Sequence, residues 1–268
     1  MIIRILNRKP VREQTMIKTI ALRELKSLFL SPLAWTMLAI TQFILCYQFL
    51  AQLETYLQIQ AKLSVLENSP GITDLVIAPL LGGAAIVLLL IIPLLTMRSI
   101  SEEQKNQTLP LLFSAPVSMS QIILGKYLGI LSFLLILIAM ISLMPLSLLL
   151  GASIDLGQMS AAVLGLCLIV AAFTTAGIYI STLTRQPAIT AVGSFGLLLF
   201  LWVINWAGTS ADTGIEGQNI LAWFSLLNHF KPLLKGVFST ADVVYYLLFI
   251  WLFLVMSIRR LDRLRLPH

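Results

Sequence analysis

The chain of 268 residues is unusually apolar: 58% of it is hydrophobic, only 11% is charged, the formal net charge is +6 and the mean hydropathy is +0.93. A soluble domain has roughly 25% charged residues, so this composition excludes an ordinary water-soluble domain as well as a disordered or collagen-like chain. The two cysteines are too few for a disulfide framework, and the composition predicts a protein that lies in a lipid bilayer.

The first predicted elements are a polar, basic leader over residues 1–15 and an amphipathic helix over residues 16–32. The apolar residues of this helix recur at helical spacing and form one stripe, made of Ile17, Ile20, Ala21, Leu25, Leu28 and Phe29. The opposite face carries Lys18, Arg23 and Lys26, so we expect an interfacial helix whose basic face meets the lipid headgroups. A loose basic leader is the alternative. Without a short apolar core and a cleavage site, no signal peptide is expected.

Six uncharged runs follow, each bracketed by charged residues. A run of about 18 or more apolar residues is long enough to cross the hydrocarbon core as a helix, and only the last run, between Asp242 and Arg259, is shorter than that. We expect spans at about residues 33–53, 75–97, 127–150, 156–184, 187–206 and 242–258. Together they predict one all-α membrane domain over residues 33–258, followed by a basic tail over residues 259–268.

The connection after the second predicted span is not simply polar. Ser101, Glu102 and Glu103 are typical of a helix N-terminus. The apolar residues Leu109, Leu111, Leu112 and Phe113 follow before Pro116. Exposed apolar residues on a connecting segment need a cover, which is either the lipid headgroups or a partner protein. We expect a partner protein.

The connection before the last predicted span contains an apolar stretch of its own. This stretch is interrupted by Pro232 and Gly236, so it is too broken to cross the membrane. We expect a pair of re-entrant helices that dip back toward the outer interface. His229 lies here with no partner in the sequence pattern, and we expect it to be an interface side chain rather than a ligand.

The orientation follows from where the Lys and Arg residues fall when the spans alternate across the membrane. Fifteen of the 18 lie on one side and three, Lys62, Lys231 and Lys235, on the other. Because positively charged loops stay in the cytoplasm, we expect both termini to be cytoplasmic. The basic charge is then explained by topology, and we expect no binding of nucleic acid.

Residue patterns for catalysis and nucleotide binding are missing. The only Gly-Lys pair, Gly125-Lys126, has Ser120 where a phosphate-binding loop needs its first glycine and Tyr127 where it needs Ser or Thr. The chain has two histidines and no His-Glu-x-x-His motif, and charged residues inside the spans, which ion coupling would use, are absent. We expect no enzyme, no metal site and no cofactor.

Two segments carry a resemblance to a known family. The stretch from Arg98 to Val117, RSISEEQKNQTLPLLFSAPV, and the following QIILGKY at Gln121–Tyr127 resemble the signature of the ABC type-2 permeases, especially the gliding-motility and copper-nitrous-oxide-accessory branches. That signature has an arginine, two acids, Gly-Thr, a leucine pair, Ser-Pro and later Leu-Gly-Lys. The segments from Met16 to Trp35 and from Leu226 to Arg263 are also similar to that branch, so the resemblance covers nearly the whole chain from Met16.

The resemblance implies a six-span permease of an ATP-driven exporter in the bacterial inner membrane, working as a dimer with two cytoplasmic ATPase subunits. The loop after span two would be the coupling helix, and the residues that match the family's ATPase contact are Glu102, Glu103, Thr108, Leu109, Leu111 and Phe113. An accessory envelope protein is a further partner implied by the branch. Gln107 stands where the family usually has glycine and Pro110 where it has an acid, so Pro110 would delay or kink a helix here.

A second function from another class stays open: a non-transporting membrane anchor or scaffold for an envelope machine. A scaffold would bind its partner equally well with any nucleotide, whereas a permease driven by an ATPase responds to the nucleotide state. The sequence marks no substrate path and no substrate.

Overall fold

The computed structural model describes residues 9–63, 71–109, 117–150, 154–209 and 224–265. Within these ranges all regular structure is helical and no strand occurs, which confirms the all-α prediction. The helices are α1 (Lys9–Leu30), α2 (Pro32–Leu63), α3 (Ala78–Thr96), α4 (Ser101–Lys105), α5 (Met119–Leu146), α6 (Leu156–Leu183), α7 (Pro187–Thr209), α8 (Leu226–Leu234) and α9 (Thr240–Arg265). A π-helical turn, Thr73–Ile77, leads into α3, and a 3₁₀ turn, Ser147–Leu150, follows α5.

Six helices in the described ranges, α2, α3, α5, α6, α7 and α9, are long and apolar enough to cross a membrane. This confirms the predicted number of spans. Local sequence explains where several of them begin. Ser118 and Gln121 form a reciprocal capping box before α5, the Asp155 carboxylate accepts two backbone hydrogen bonds before α6, and Pro187 occupies the first position of α7.

Three of these helices extend beyond the predicted spans at their polar ends. Helix α2 continues to Leu63, α5 begins at Met119, and α9 runs to Arg265 through most of the predicted basic tail. A charged residue marks where the bilayer ends, but Glu, Gln, Lys and Arg are all good helix formers, so the helices continue past the membrane boundary.

Helix α6 lies at the centre of the bundle. It packs against α3, α5, α7, α8 and α9. In the most apolar 18-residue stretch of each helix, 72% is buried in α6, against 17% in α7 and 22% in α9. Gly177 permits the close approach of α3, because a Cβ there would collide with the Thr96 hydroxyl. The helices at the periphery expose large apolar side chains such as Phe43, Phe200 and Trp251, as expected for surfaces in lipid.

Helix α1 packs mainly on α5. The contact is made at Gly125 and Gly129, where a Cβ would lie only 2.6 Å from the Ile20 and Glu24 side chains, respectively. This glycine pair therefore packs two helices of one protomer against each other. We call the end of the bundle that carries α1 and α4 the α4 end, and the opposite end the α8 end.

Helix α8 inserts into the α8 end of the bundle. Leu226, Phe230 and Leu233 are fully buried, and Gly165 of α6 leaves room for the side chains of Phe230 and Leu233. The structure describes this one helix of the predicted pair, and residues 210–223 lie outside the described ranges.

The structure gives His229 a partner that the sequence pattern did not indicate. Its Nδ1 lies 2.6 Å from Oδ1 of Asp242 in α9, and both residues are buried. The turn between α8 and α9, with Gly236 at φ 77°, brings them together, and no helical or strand spacing links positions 229 and 242 in the sequence.

Candidate functional site

The short helix α4 is attached to the end of the central helix α6. The Ser181 hydroxyl oxygen accepts hydrogen bonds from the backbone N–H groups of Ile100 and Ser101, each at 3.0 Å. The Gln104 side-chain amide also donates to the Thr182 carbonyl at 3.3 Å. One hydroxyl therefore satisfies two of the backbone donors that a helix N-terminus leaves unpaired.

The other end of α4 closes in a Schellman motif. The Thr108 N–H donates to the Glu103 carbonyl at 3.0 Å, and the Gln107 N–H donates to the Gln104 carbonyl at 3.3 Å. Gln107 has φ 56°, the left-handed conformation that this motif requires at its C′ position. Glycine adopts this conformation most readily, which explains the glycine in the motif that this segment resembles.

The charged residues Glu24, Glu103 and Lys126 form one ion network at the α4 end. Nζ of Lys126 lies 2.9 Å from Oε1 of Glu103 and 3.5 Å from Oε2 of Glu24. Only 7% of the Lys126 side chain is exposed. A buried ammonium group is stable only when paired, so this contact holds together three helices: α1, α4 and α5.

An open cavity of about 350 Å³ lies between α1, α3, α4 and α5. Its charged lining residues are Arg23, Glu24, Arg98, Glu102, Glu103 and Lys126. Leu28, Leu33 and Leu94 line it as well. The cavity therefore combines apolar walls with charges of both signs.

The predicted contact residues of the loop after the second span have different environments. Glu102 and Glu103 are half-buried, Thr108 is exposed and Leu109 is buried in the apolar core. Leu111 and Phe113 lie outside the described residues. The structure thus brings Glu102, Glu103 and Thr108 to the cavity, whereas Leu109 packs into the protomer's own core.

Sequence reasoning missed two residues of this site. Lys126 was visible as part of the Leu-Gly-Lys motif, but nothing in the sequence paired it with Glu103, which is 23 positions earlier. Ser181 carries no motif at all. A polar side chain in the last turn of an apolar helix is the only signal that could have drawn attention to Ser181.

The face of α1 that points away from α5 is basic. Lys18, Arg23 and Lys26 are exposed on it, together with Leu22 and Leu30, which are 57% and 84% exposed. A groove of about 640 Å³ runs along this face. Glu24, by contrast, points inward to Lys126, so the described part of the exposed face carries cations and leucines and no acid.

A second polar cluster lies at the α8 end. The His229 ring stacks on Tyr245 with centroids 4.0 Å apart, and the Tyr246 hydroxyl donates to the Leu226 carbonyl at 2.7 Å. These contacts fasten α8 to α9. Among the described residues, no group of three or more His, Cys, Asp or Glu side chains is placed to hold a metal ion.

Two comparisons with known proteins bear on the chain. The model of the family described as ABC-2 family transporter protein matches residues 18–266. Among curated proteins, no sequence match was found.

Proposed function

The chain belongs to the ABC-2 family of transporter proteins and is the multi-pass, membrane-spanning permease subunit of an ABC transporter, and we propose that it is an exporter subunit driven by ATP hydrolysis in a separate cytoplasmic ATPase. Permeases of this family generally work with such an ATPase. The chain's own sequence has no phosphate-binding loop, so energy has to come from a partner. The proposal includes a second permease protomer, of the same or a related chain.

The α4 end is proposed to be cytoplasmic, in the inner membrane of a bacterium. Fifteen of the 18 Lys and Arg residues fall on this side when the six spans alternate across the membrane. The even number of spans then puts α1 and the end of α9 on the same side. The exposed basic face of α1, with its two leucines, suits contact with inner-leaflet lipids, whose phosphates attract cations.

The observation that carries the proposal is the attachment of α4. This helix directly follows the second span, exposes Thr108 beside its closing motif, and is bonded to α6 through Ser181 and to α5 through Lys126. A partner that moves α4 would therefore pull on two other spans. We propose that α4 and the segment after it form the coupling element, with Glu102, Glu103 and Thr108 nearest to the ATPase.

The chain's exposed apolar faces are available for contact with the second protomer. An accessory envelope protein is a further proposed partner, on the α8 side. The substrate class is left open, because hydroxyl side chains of the described spans bond mainly to backbone carbonyls of their own helix, as Thr174 does to Val170. Binding of nucleic acid is not proposed, since the basic residues are explained by topology.

The proposal is tested by recovering the ATPase with the permease from native membranes in mild detergent. Thr108→Arg should lower ATPase recovery and ATP turnover while leaving the amount of folded permease unchanged, because it adds a bulky cation to the exposed surface of the coupling element. Gln186→Arg is the matched control, since Gln186 is exposed at the same end, in the turn before α7.

Equal recovery from both variants would contradict the coupling surface. A partner that binds Thr108→Arg and the parent equally, with or without nucleotide, would favour the scaffold function instead.

A further inference from the structure

The ion network of Glu24, Lys126 and Glu103 joins the coupling element to the N-terminal helix. We propose that Lys126 is a positioning residue that fastens α4 to α1, so that a displacement of α4 is transmitted through α1 to the first span, α2. This inference rests on the proposed function, because the ATPase would supply the displacement.

The network is built so that both carboxylates stay attached to one ammonium group. Lys126 is buried, and its Nζ is held at 2.9 Å by Glu103 and at 3.5 Å by Glu24. Losing both partners would leave a buried charge uncompensated, which is strongly unfavourable. The shorter contact is to α4, so α4 is the element held more firmly.

The path from Lys126 to the first span is short. Gly125 and Gly129 bring α1 against α5 next to Lys126. Only Ser31 separates α1 from α2, and the Ser31 N–H donates to the Leu28 carbonyl at 3.0 Å while the Ala34 N–H donates to the Ser31 carbonyl at 3.2 Å. Helices joined by one hydrogen-bonded residue cannot move far independently, so α1 acts on α2 directly.

A second path leads from α4 to α6 through Ser181. The two attachments differ in kind. Ser181 binds backbone N–H groups at the start of α4, whereas Lys126 binds the side chain of Glu103, whose carbonyl also closes the end of the helix through Thr108. Removing Lys126 should therefore loosen the far end of α4, where only the bond from the Gln104 amide to the Thr182 carbonyl still reaches α6, while the start of α4 stays attached through Ser181.

The first measurement uses the permease alone, in lipid nanodiscs. Spin labels are placed at Leu22→Cys on α1 and Lys105→Cys on α4, both exposed positions, after Cys46 and Cys167 are replaced by alanine. Pulsed electron paramagnetic resonance should give one narrow distance distribution in the otherwise native protein. Lys126→Met should broaden that peak, and Lys126→Arg should keep it narrow, because a guanidinium can bond both carboxylates.

Arg185→Met is the matched control, since it removes an exposed cation at the same end that is outside the network. Its distance distribution should match that of the parent. If Lys126→Met does not yield folded protein, the triple change Glu24→Gln, Glu103→Gln and Lys126→Met removes every charge of the network together and is measured in the same way. An unchanged narrow peak in the folded variant would overturn the proposal.

The second measurement uses the complex with its ATPase, with no nucleotide and after trapping with vanadate. Among the complexes that retain the ATPase, the two labels should keep their separation in the parent and shift apart in Lys126→Met. A merely stabilising role for Lys126 would lower the yield or melting temperature without any nucleotide-dependent shift, and that result would overturn the proposal. Absence of an ATPase from the parent preparation would refute the proposed function alone, and the nanodisc measurement would still decide whether Lys126 fastens α4 to α1.

Discussion

The crossing of α1 over α5 offers a sharp test, because its two glycines have no room for a methyl group. In Gly129→Ala the new Cβ would lie 2.6 Å from the Glu24 Cβ and 2.9 Å from the Ala21 carbonyl oxygen. Carbon atoms in contact are normally about 3.5–4.0 Å apart, so α1 has to move by about 1 Å. Overpacking of this kind costs about 1–3 kcal/mol.

The matched control for this change is Gly196→Ala on α7. Among the described residues, no atom outside the neighbouring backbone of α7 lies within 4 Å of a Cβ at Gly196, so this variant shows only the gain of about 0.5–1 kcal/mol that alanine brings to a helix interior. Both variants share that gain, and the difference between them isolates the contact with α1.

The assay is thermal unfolding of the detergent-solubilised protein, followed by its intrinsic tryptophan fluorescence. With roughly 2–4 °C per kcal/mol for a chain of this size, Gly129→Ala should melt about 2–12 °C below Gly196→Ala. Equal melting temperatures would refute the close approach of α1 and α5, because a loosely attached α1 would make room for the methyl group at no cost.

Two further predictions concern the loop and the topology. Gln107→Gly should raise the free energy of unfolding by about 0.5–1 kcal/mol, because it removes the cost of a side chain in the left-handed conformation at φ 56°. A higher melting temperature in the same assay checks this prediction. The control Gln186→Gly changes a residue outside that conformation and should not raise the melting temperature. A single cysteine at Lys62 should react with a membrane-impermeant thiol reagent in intact cells, and one at Lys105 should not, once Cys46 and Cys167 are replaced; the reverse pattern would contradict the proposed orientation.

The spans could be predicted from the sequence because, in a bilayer, whether a segment forms a helix depends mainly on the residues of that segment. In a helix that crosses lipid, the backbone donors and acceptors find their partners within the helix itself, so an uncharged and nearly all apolar run such as Val243–Ile258 indicates a helix by itself. The helix ends were harder to predict, since α2 and α9 continue through Glu54 and Arg259. A change from apolar to polar residues marks the membrane boundary and leaves helix propensity unchanged.

The polar contacts could not be predicted because they depend on tertiary structure. His229 and Asp242 meet only because a turn folds α9 back on α8, and Lys126 meets Glu24 across 102 positions. Leu109 shows the limits of reading a cover from the sequence. It lies in a segment that the sequence assigned to a partner, but it packs into the protomer's own core. An apolar residue in a loop indicates that a cover exists and does not tell whether the cover is another protein.

The arrangement around Glu103 shows why acids, a glycine position and a lysine recur together in the motif that this loop resembles. The Glu103 carboxylate binds Lys126, and its backbone carbonyl accepts the N–H of Thr108 across the left-handed residue 107. The ion pair and the closing motif of α4 therefore both use Glu103. With Gln107 in place of glycine the closing motif still forms here, at a cost in backbone conformation. The ion pair with Lys126 and the cap with Thr108 fix the same residue from two directions, and together they hold a five-residue helix that is too short to be stable alone.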